Sequence, residues 1–383
     1  MLADMTIYYC PVDGTRSAIT ALTWCCPVCR GPWDLEFTPA RGIGPNALTT
    51  RIDSLWRYKD FLPLDSSAIS LGEGRTPLVP LTDTVSAKLD YLMPTLSFKD
   101  RGAVMLAELA RRLGPDRVVA DSTGNAGTSV AAYCARAGLP CTVYVPEGTS
   151  AKKTEQIRAH GARLVAVPGG REATALAART AADEPGVFYA SHVFNPYFLH
   201  GTKTYVYELW EDLGGRLPDA LAVPVGNGTL LLGAALAVAE LHALGLIETR
   251  PRLLAVQAEA VSPLAAAFHA GADDLPPADA GADDLPPADA ATGPAPTLAE
   301  GIAIPRPPRA RQILAAVRAS GGTFLTVPED GIREAQRDLA ARGFYVETTG
   351  VACWAAVREG GEAVRGSVVV PLCGAGLKTG MAR

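Results

Sequence analysis

The segment "PTLSFKDRG" (residues 94–102) contains a side chain suited to covalent chemistry. Lys99 follows a serine and a phenylalanine and precedes an apolar segment, "AVMLAELARRL" (103–113), whose pattern predicts a helix. A partly desolvated lysine amine attacks carbonyl groups and forms imines with them. The rest of the chain must therefore supply the groups that would surround such an amine.

Three loops, each between a predicted strand and a predicted helix, offer further candidates. Loop "DSTGNAG" (121–127) has hydroxyls and an amide before a helix N-terminus, which suits an anion but also fits an ordinary helix cap. In "PVGNGTLLLG" (224–233) the glycines allow a phosphate close to the backbone, although neither nucleotide-binding glycine motif is present. Segment "VVVPLCGAGLK" (368–378) ends a predicted strand at Cys373, whose thiol either contacts a cofactor or fills space. Taken singly, none of these loops identifies a ligand.

Short apolar runs alternate with amphipathic stretches from residue 117 onward. The runs are continuous and rich in β-branched residues, which is typical of parallel strands buried on both faces. The predicted fold class is α/β, with two open parallel-sheet units and ligand crevices at the carboxyl ends of the strands. The predicted strands are 117–122, 141–146, 163–169, 187–191, 220–226, 253–259, 323–328 and 367–374, and the predicted helices are 126–138, 150–162, 171–184, 197–214, 229–245, 331–343 and 351–360.

Composition excludes several classes of protein. The chain has 383 residues, 48% of them hydrophobic and 20% charged, which is enough for two domains with cores of their own. The formal net charge is -5 and the basic residues are scattered, so a nucleic-acid partner is not expected. The first residues lack the pattern of a signal peptide, and no stretch is apolar enough to span a bilayer. These features predict a cytoplasmic protein without membrane partners.

Cysteines are crowded near the start of the chain. Cys26 and Cys29 have the spacing of a metal-ligand pair, but Asp13 stands where a cysteine would complete a second pair with Cys10. The expectation is therefore a structural arm with free thiols and no metal, with Cys10, Cys26 and Cys29 as the remaining candidate ligands. The scattered positions of the other cysteines favour a reducing compartment over a disulfide framework.

Residues 271–290 are the decapeptide "GADDLPPADA" written twice in tandem. The repeat is rich in Pro, Ala and Asp and has little to bury, which predicts a flexible acidic surface loop. A role as a lid over a site is the alternative, because long insertions are either functional or merely tolerated.

The order of the motifs resembles the pyridoxal-phosphate enzymes of the tryptophan-synthase β fold (fold type II), and most closely the threonine synthase family. The resemblance runs from about residue 5 to the C-terminus and includes the cysteine-containing arm. It implies an arm at 1–45, a large domain formed by 46–110 and 195–383 with a flexible insertion at 271–296, and a smaller α/β domain at 111–194. Four further segments resemble segments of this family in the same order: "LGEGRTPLVPL" (71–81), "STGNAGTSVAAYCARAGLP" (122–140), "NPYFLHGTKTYVYEL" (195–209) and "LAEGIAIPRPP" (298–308).

The resemblance implies pyridoxal 5'-phosphate as cofactor and assigns roles to residues of this chain. Lys99 would form the internal Schiff base and then move protons, whereas Asp100 and Arg101 would be structural. Asn125 would contact the ring oxygen of the cofactor and Cys373 its pyridine nitrogen. The other candidates are Phe98 beside the cofactor, Gly226, Asn227, Gly228 and Thr229 around its phosphate, Ser122, Thr123 and Gly124 around the substrate carboxylate, and Lys152, Lys153 or Lys203 as a cation for a departing phosphate.

Several positions depart from the family pattern. Met93 and Leu96 stand where Asn and Gly are usual, and His200 stands where Glu is usual. Further departures are Thr348 and Thr349 where a proline is common after Glu347, Thr379 where an acid is common, and Cys373 in place of a hydroxyl residue. Residues on the substrate side decide which group leaves, so these departures keep the reaction open.

The implied function is that of a carbon-oxygen lyase or synthase acting on a small amino acid. Threonine synthase chemistry, from O-phosphohomoserine to threonine and phosphate, is the leading expectation. The alternatives are β-elimination or β-replacement, as in serine or threonine dehydratases and cysteine or cysteate synthases, and a non-catalytic pyridoxal-phosphate-binding homologue. The amino-acid substrate is the expected partner, and a homodimer is compatible with these expectations.

Overall fold

The computed structural model describes residues 6–41, 43–65, 68–122, 124–149, 151–276 and 297–382, with the side chains of 151–153 left out. Its strands are β1 (Ile7–Tyr9), β2 (Arg16–Ser17), β3 (Asp34–Glu36), β4 (Leu78–Pro80), β5 (Val85–Lys88), β6 (Arg117–Ala120), β7 (Cys141–Pro146), β8 (Arg163–Val167), β9 (Val187–Tyr189), β10 (Ala220–Pro224), β11 (Arg252–Ala258), β12 (Thr323–Val327) and β13 (Val368–Pro371). Its α-helices are α1 (Asp100–Leu113), α2 (Asn125–Ala137), α3 (Ala151–Ala159), α4 (Arg171–Ala182), α5 (Pro196–Thr202), α6 (Thr204–Asp212), α7 (Thr229–Ala243), α8 (Pro263–His269), α9 (Ala310–Ala319), α10 (Glu329–Ala341) and α11 (Thr348–Glu359).

The described residues form two compact units. The first unit comprises those of Met1–Arg75 and Lys99–Thr204, and the second is formed by Thr76–Phe98 and by the described residues that follow Tyr205. The chain therefore leaves the second unit at Phe98 and re-enters the first at Lys99. None of the helices described is long and apolar enough to cross a membrane.

Each unit is built on a parallel sheet. The first unit has four strands in the order β8-β7-β6-β9, all paired in parallel. In the second unit the order is β12-β11-β10-β13-β5-β4, and the edge strand β4 is antiparallel to β5. The prediction of an α/β fold with two parallel-sheet units is confirmed. Strands β4 and β5 were not predicted, because each is too short to show a clear apolar pattern.

The N-terminal arm, residues 6–41, forms a small antiparallel sheet in the order β2-β1-β3 and packs on the first unit through aromatic rings. Tyr8 stacks on Trp33 at 5.8 Å and meets the edge of Tyr197 at 6.4 Å, between ring centroids. The backbone N–H of Trp33 also donates to the carbonyl of Phe194 at 3.2 Å. These contacts attach the arm to α5 and to the loop before it.

Helix α1 packs against α5 with the two backbones in close contact. A Cβ on Gly102 of α1 would lie 2.4 Å from Cδ2 of Phe198, and a Cβ on Gly201 of α5 would lie 2.0 Å from the carbonyl oxygen of Arg101. Neither position has room for a side chain. The glycines therefore set the distance between α1, which follows Lys99, and the ring of Phe198.

A buried ion cluster ties β5 to α6 in the second unit. Lys88 is fully buried, and its Nζ lies 3.0 Å from a carboxylate oxygen of Glu208 and 2.8 Å from one of Asp212. The same Nζ donates to the carbonyl of Thr76 at 2.6 Å. A buried charge left without partners is strongly destabilising, so these contacts hold β5 and α6 together within the unit.

The predicted domain boundaries differ from the two structural units. Residues 46–75 and 99–110, which the sequence assigned to the large domain, group with the four-stranded sheet. The physical reason is that α1 packs extensively on α2 and α5, which belong to the first unit. The single helix predicted at 197–214 is two helices that join at Lys203. The greater part of the predicted insertion, 277–296, lies outside the described residues.

Replacing Gly102 with alanine should destabilise the protein, because the new methyl group would overlap the ring of Phe198. Overpacking of this kind costs about 1–3 kcal/mol. Gly44→Ala is the matched control, since nothing lies within 4 Å of its added Cβ and its φ of -97° suits alanine. Urea unfolding of both variants checks this, and equal free energies of unfolding would contradict the packing argument.

Candidate active site

Lys99 lies at the N-terminus of α1, where it is half-buried in the first unit. Its Nζ is 5.6 Å from the centroid of the Phe198 ring, so the amine has an apolar neighbour. His192 approaches the same ring from another direction, with 5.8 Å between ring centroids. The lysine therefore projects from a helix start beside an aromatic ring and an imidazole, and not from an exposed surface.

The two charged residues after Lys99 hold the helix in place. Asp100 is fully buried and accepts a hydrogen bond from the hydroxyl of Ser129 in α2. Arg101, also fully buried, donates from Nη1 to Oγ1 of Thr204 at 3.0 Å. Both residues thus have the structural role that the sequence suggested, and Lys99 stays the candidate reactive group of the segment.

The loop between β6 and α2 contains the predicted carboxylate-binding residues. The N–H of Gly124 donates to Oγ of Ser122 at 3.4 Å, and Gly124 caps α2 without a side-chain hydrogen bond. Asn125 is the first residue of α2 and is half-buried. Thr123 lies outside the described residues, and of Lys152 only the backbone, in α3, is described.

The segment before Lys99 is fixed to the loop that follows β13, within the second unit. The N–H of Phe98 donates to the carbonyl of Cys373 at 2.9 Å, and the N–H of Ala375 donates to the carbonyl of Leu96 at 3.0 Å. Ser97 lies between them, fully buried, and its Oγ has no hydrogen-bond partner among the described residues. The structure thus brings together two motifs that are about 275 residues apart in the sequence.

Leu96, one of the departures from the family pattern, has an unusual backbone conformation. Its φ of +64° lies in the left-handed region, where a leucine is strained by roughly 1–2 kcal/mol and a glycine is not. A glycine, which is usual here in the family pattern, would adopt this conformation without strain, whereas this chain adopts it at a cost in stability.

The predicted phosphate cup surrounds the start of α7. Gly228 caps this helix with a φ of +72°, and Thr229 is its first residue. A Cβ on Gly228 would lie 2.4 Å from Cδ1 of Ile313, and a Cβ on Gly226 would lie 2.9 Å from Cα of Ile302. The first turn of α7 contains no acidic residue, so nothing there opposes an anion at the positive end of the helix.

Cys373 is fully buried at the end of β13, and its Sγ lies 3.7 Å from the carbonyl oxygen of Pro371. The following loop pairs with the segment before α11, since the N–H of Glu347 donates to the carbonyl of Gly374 at 2.9 Å. Oγ1 of Thr348 in turn donates to the carbonyl of Leu298 at 2.6 Å. Three motifs named by the resemblance therefore form one contact network in the second unit.

His192 is a candidate site residue that sequence reasoning missed. It follows the end of β9, which is the parallel neighbour of β6, so both strands deliver their following loops to one edge of the sheet. Burial, and then the charge of Lys99, hold the pKa of His192 well below its usual value. The signal available in the sequence was a histidine just after a predicted strand, in a position similar to that of Ser122 after β6.

His200, which stands where the family pattern has a glutamate, is buried on α5 in surroundings that disfavour the charged form of its side chain. Burial, and then the charge of Lys203, keep its pKa well below the usual value. Its ring meets Phe37 of the arm edge-on at 5.4 Å, and its Nδ1 has no hydrogen-bond partner among the described residues. An imidazole in this setting packs as an apolar ring.

Each unit, taken by itself, contains residues whose chemistry suits pyridoxal phosphate. In the first unit, Lys99 offers a half-buried amine for its aldehyde. In the second unit, the N-terminus of α7 follows a glycine and has no acidic residue in its first turn, which suits a phosphate. Ser97 adds a buried hydroxyl with no described partner two residues before the lysine. Phe98, Asn125, Asn227, Thr229 and Cys373 stay predictions as individual contacts with the cofactor.

Comparisons with known proteins agree with this chemistry. The family model described as "Pyridoxal-phosphate dependent enzyme" matches residues 69–374. The threonine synthase of Methanosarcina acetivorans is 30% identical over 361 residues, which cover 91% of this chain and 85% of that protein. The threonine synthase of Mycobacterium bovis is 34% identical, covering 84% of this chain and 87% of its own. Among solved structures, a threonine deaminase from T.th. has a TM-score of 0.65 and 29% identity over 79% of this chain and 92% of its own.

Gly228→Ala should weaken the binding of pyridoxal phosphate, because the added methyl group would collide with Ile313 and displace the first turn of α7, whose N–H groups would bind the phosphate. Gly245→Ala is the matched control: Gly245 follows the other end of α7 with a φ of +70° and has open space around its Cβ. Both variants carry the same left-handed strain, about 1–2 kcal/mol. Cofactor bound per chain after dialysis is the measurement, and equal retention by the two variants would refute the cup.

His200 should make the protein less stable in acid. Because its pKa is lowered in the folded protein, the unfolded chain binds more protons below about pH 6.5, so stability is lost as the pH falls from there. Each further pH unit costs up to about 1.4 kcal/mol while His200 stays neutral. His200→Gln should flatten the decline of unfolding free energy between about pH 7 and pH 5, whereas the exposed His269→Gln should not. A slope that His200→Gln leaves unchanged would contradict this assignment.

Proposed function

We propose that this chain, which belongs to the threonine synthase family of pyridoxal-phosphate-dependent enzymes, converts O-phosphohomoserine and water into threonine and phosphate. Its activity is that of a pyridoxal-phosphate-dependent lyase. The observation that carries the specific reaction is the similarity to relatives named threonine synthase, which extends over 80–91% of this chain for the archaeal and mycobacterial relatives. The position of Lys99 beside Phe198, at the start of a buried helix, supports the same chemistry.

When bound, pyridoxal phosphate supplies an electron sink that makes protons next to the amino group of a substrate acidic. Lys99 would hold the cofactor through Nζ and, once released, take the proton from Cα of the substrate. Phe198 covers one side of this amine, which keeps bulk water from it. His192 is neutral beside the same ring, so it does not add a second positive charge near Lys99.

The substrate carboxylate would bind at the start of α2. Backbone N–H groups at a helix N-terminus and a nearby hydroxyl suit a carboxylate, and Ser122 and Gly124 lie at this point. Asn125, as the first helical residue, would donate to the ring oxygen of the cofactor. Thr123 completes the predicted set.

A cation for the departing phosphate is part of the proposal. Of the three lysines that the sequence suggested, Lys203 is fully buried, with Nζ 4.9 Å from the Phe37 ring. It packs against the arm, so it is a poor candidate for a mobile dianion. Lys152, at the start of α3, is the candidate we retain, with its neighbour Lys153.

A second candidate function is elimination from threonine or serine. The observation in its favour is the likeness to the threonine deaminase structure, at 29% identity and a TM-score of 0.65. Cys373 is compatible with either reaction, because a neutral thiol hydrogen-bonded to Pro371 supplies no charge to a cofactor ring. A replacement reaction on an activated serine and a non-catalytic role remain the less supported alternatives. A homodimer and a cytoplasmic location stay predictions.

Incubating the purified holoenzyme separately with O-phosphohomoserine, O-phosphoserine, serine and threonine distinguishes these functions. We expect phosphate and threonine in equal amounts from the first substrate alone. A 2-oxoacid from threonine would instead establish the deaminase alternative, and release of phosphate from O-phosphoserine would indicate a replacement enzyme. No product from any of them would refute the proposed reaction.

Lys99→Ala should abolish threonine formation while the chain still folds, with a loss of about 0.5–3 kcal/mol in the free energy of unfolding because the side chain is half-buried. Lys59→Ala, at an exposed lysine far from the site in sequence, is the control and should keep full activity. Turnover by Lys99→Ala at the wild-type rate would show that another amine performs the chemistry.

A further inference from the structure

The arm contains two turns of the same construction. In the first, the N–H of Cys10 donates to the carbonyl of Thr15 at 2.8 Å, and the N–H of Gly14 donates to the carbonyl of Cys10 at 3.0 Å. In the second, the corresponding bonds join Cys26 with Gly31 and Arg30 with Cys26, both at 3.0 Å. The residue at the fifth position of each turn has a positive φ, +75° at Gly14 and +57° at Arg30. The second turn is therefore a structural copy of the first.

Because the turns are copies, Asp13 occupies the position in the first that Cys29 occupies in the second. Each of the four side chains at the paired positions accepts a hydrogen bond from a backbone N–H two residues further along the chain. Such bonds stabilise a negatively charged acceptor. The four bonds are Val12 N–H to Cys10 Sγ, Val28 N–H to Cys26 Sγ and Gly31 N–H to Cys29 Sγ, each at 3.4 Å, and Thr15 N–H to Asp13 Oδ1 at 2.9 Å.

The four acceptor side chains converge on one point. The Sγ atoms of Cys10 and Cys29 are 3.4 Å apart, and Sγ of Cys26 is 3.3 Å from Oδ2 of Asp13. One ligand atom from each of the four residues lies within 4.8 Å of all the others. Zinc binds sulfur at about 2.3 Å and oxygen at about 2.0–2.2 Å in a tetrahedron, which separates neighbouring ligand atoms by about 3.6–3.8 Å.

We propose that Cys10, Asp13, Cys26 and Cys29 bind one zinc ion, with the Asp13 carboxylate as the fourth ligand. The separations suit one ion, whereas a multi-iron cluster needs room for its own sulfides between the thiolates. Three thiolates select a soft or borderline metal over magnesium or calcium. Four protein ligands leave no open position, so the site is structural and not catalytic.

The zinc ion would hold the arm in the shape that packs on the first unit. Cys10 and Cys26 are buried, whereas Asp13 and Cys29 are exposed, so the ion can enter from solvent. Beyond the two turns, Phe37 of the arm covers His200 at 5.4 Å. Loss of the ion should therefore weaken the packing of the arm on the first unit more than it affects the reaction at Lys99.

A disulfide between Cys10 and Cys29 is the competing chemistry, since their sulfurs are 3.4 Å apart. It would consume two of the ligands and exclude the ion. The proposal requires that the thiols of the holoenzyme be reduced and bound to metal, with their protons released on binding.

The test uses the full chain with its pyridoxal phosphate, purified in a phosphine reductant without chelators. Elemental analysis should find one zinc per chain, and zinc absorption-edge spectroscopy should find three sulfur neighbours at about 2.3 Å and one oxygen at about 2.0–2.2 Å. Cobalt in place of zinc should give the visible bands of a tetrahedral thiolate site. Absence of zinc together with failure to take up added zinc or cobalt would overturn the proposal, and so would a Cys10–Cys29 disulfide that persists in the reductant.

Variants with one substitution each test which side chains bind the zinc ion. Asp13→Cys should keep the zinc and change the spectrum to four sulfurs, which also tests that Asp13 and Cys29 are equivalent. Asp13→Asn and Cys29→Ser should lower zinc affinity at least about tenfold, since even indirect partners of a ligand contribute 10–100-fold. Cys25→Ala is the matched control, because Cys25 is adjacent in sequence but outside the cluster, and it should bind zinc as wild type does. Equal zinc affinity in wild type, Asp13→Asn and Cys29→Ser would refute this ligand set.

Discussion

The close contact between α1 and α5 is the constraint on which the surroundings of Lys99, the candidate catalytic residue, depend. Gly102 and Gly201 let the two backbones touch, and this contact puts Phe198 beside the amine of Lys99. The same helix α5 supports the arm through Tyr197 and His200. One helix pair thus connects the reactive amine, its apolar neighbour and the N-terminal arm within the first unit, and a change in the distance between these helices would alter all three.

The fold class could be predicted, and Lys99 could be singled out as a candidate, because both signals are local. Apolar runs of β-branched residues predicted strands such as β7 and β11, and the amphipathic segment after Lys99 predicted α1. The grouping of α1 with the smaller sheet was not predictable in this way. It depends on a glycine in α1 meeting a glycine in α5, about 100 residues later, and no periodicity within either helix reports that contact.

The site residues divide along the same line. The glycines of the predicted phosphate cup are recognisable from a strand, a turn and a helix in succession, whereas His192 becomes a candidate only through the pairing of β9 with β6. The backbone conformation at Leu96 was not predictable, for a different reason. A leucine side chain does not indicate a left-handed backbone conformation. The hydrogen bonds between this segment and the loop after β13 impose that conformation. Asp13 likewise interrupts the cysteine pairs in the sequence, and only the matching backbone hydrogen bonds of the two turns put it at the position equivalent to Cys29.

The docking of the arm has a consequence for how the protein is made. Trp33 hydrogen-bonds to Phe194, and Tyr8 meets Tyr197, so the partners of the arm leave the ribosome about 160 or more residues after it. At synthesis rates of about 5–20 residues per second, the arm waits roughly 8–30 seconds with these aromatic rings uncovered. A zinc ion held by ligands that span only positions 10 to 29 would let the arm fold at once, from its own residues. The nascent chain would then present a finished module, instead of an exposed aromatic segment, to the helices that emerge later.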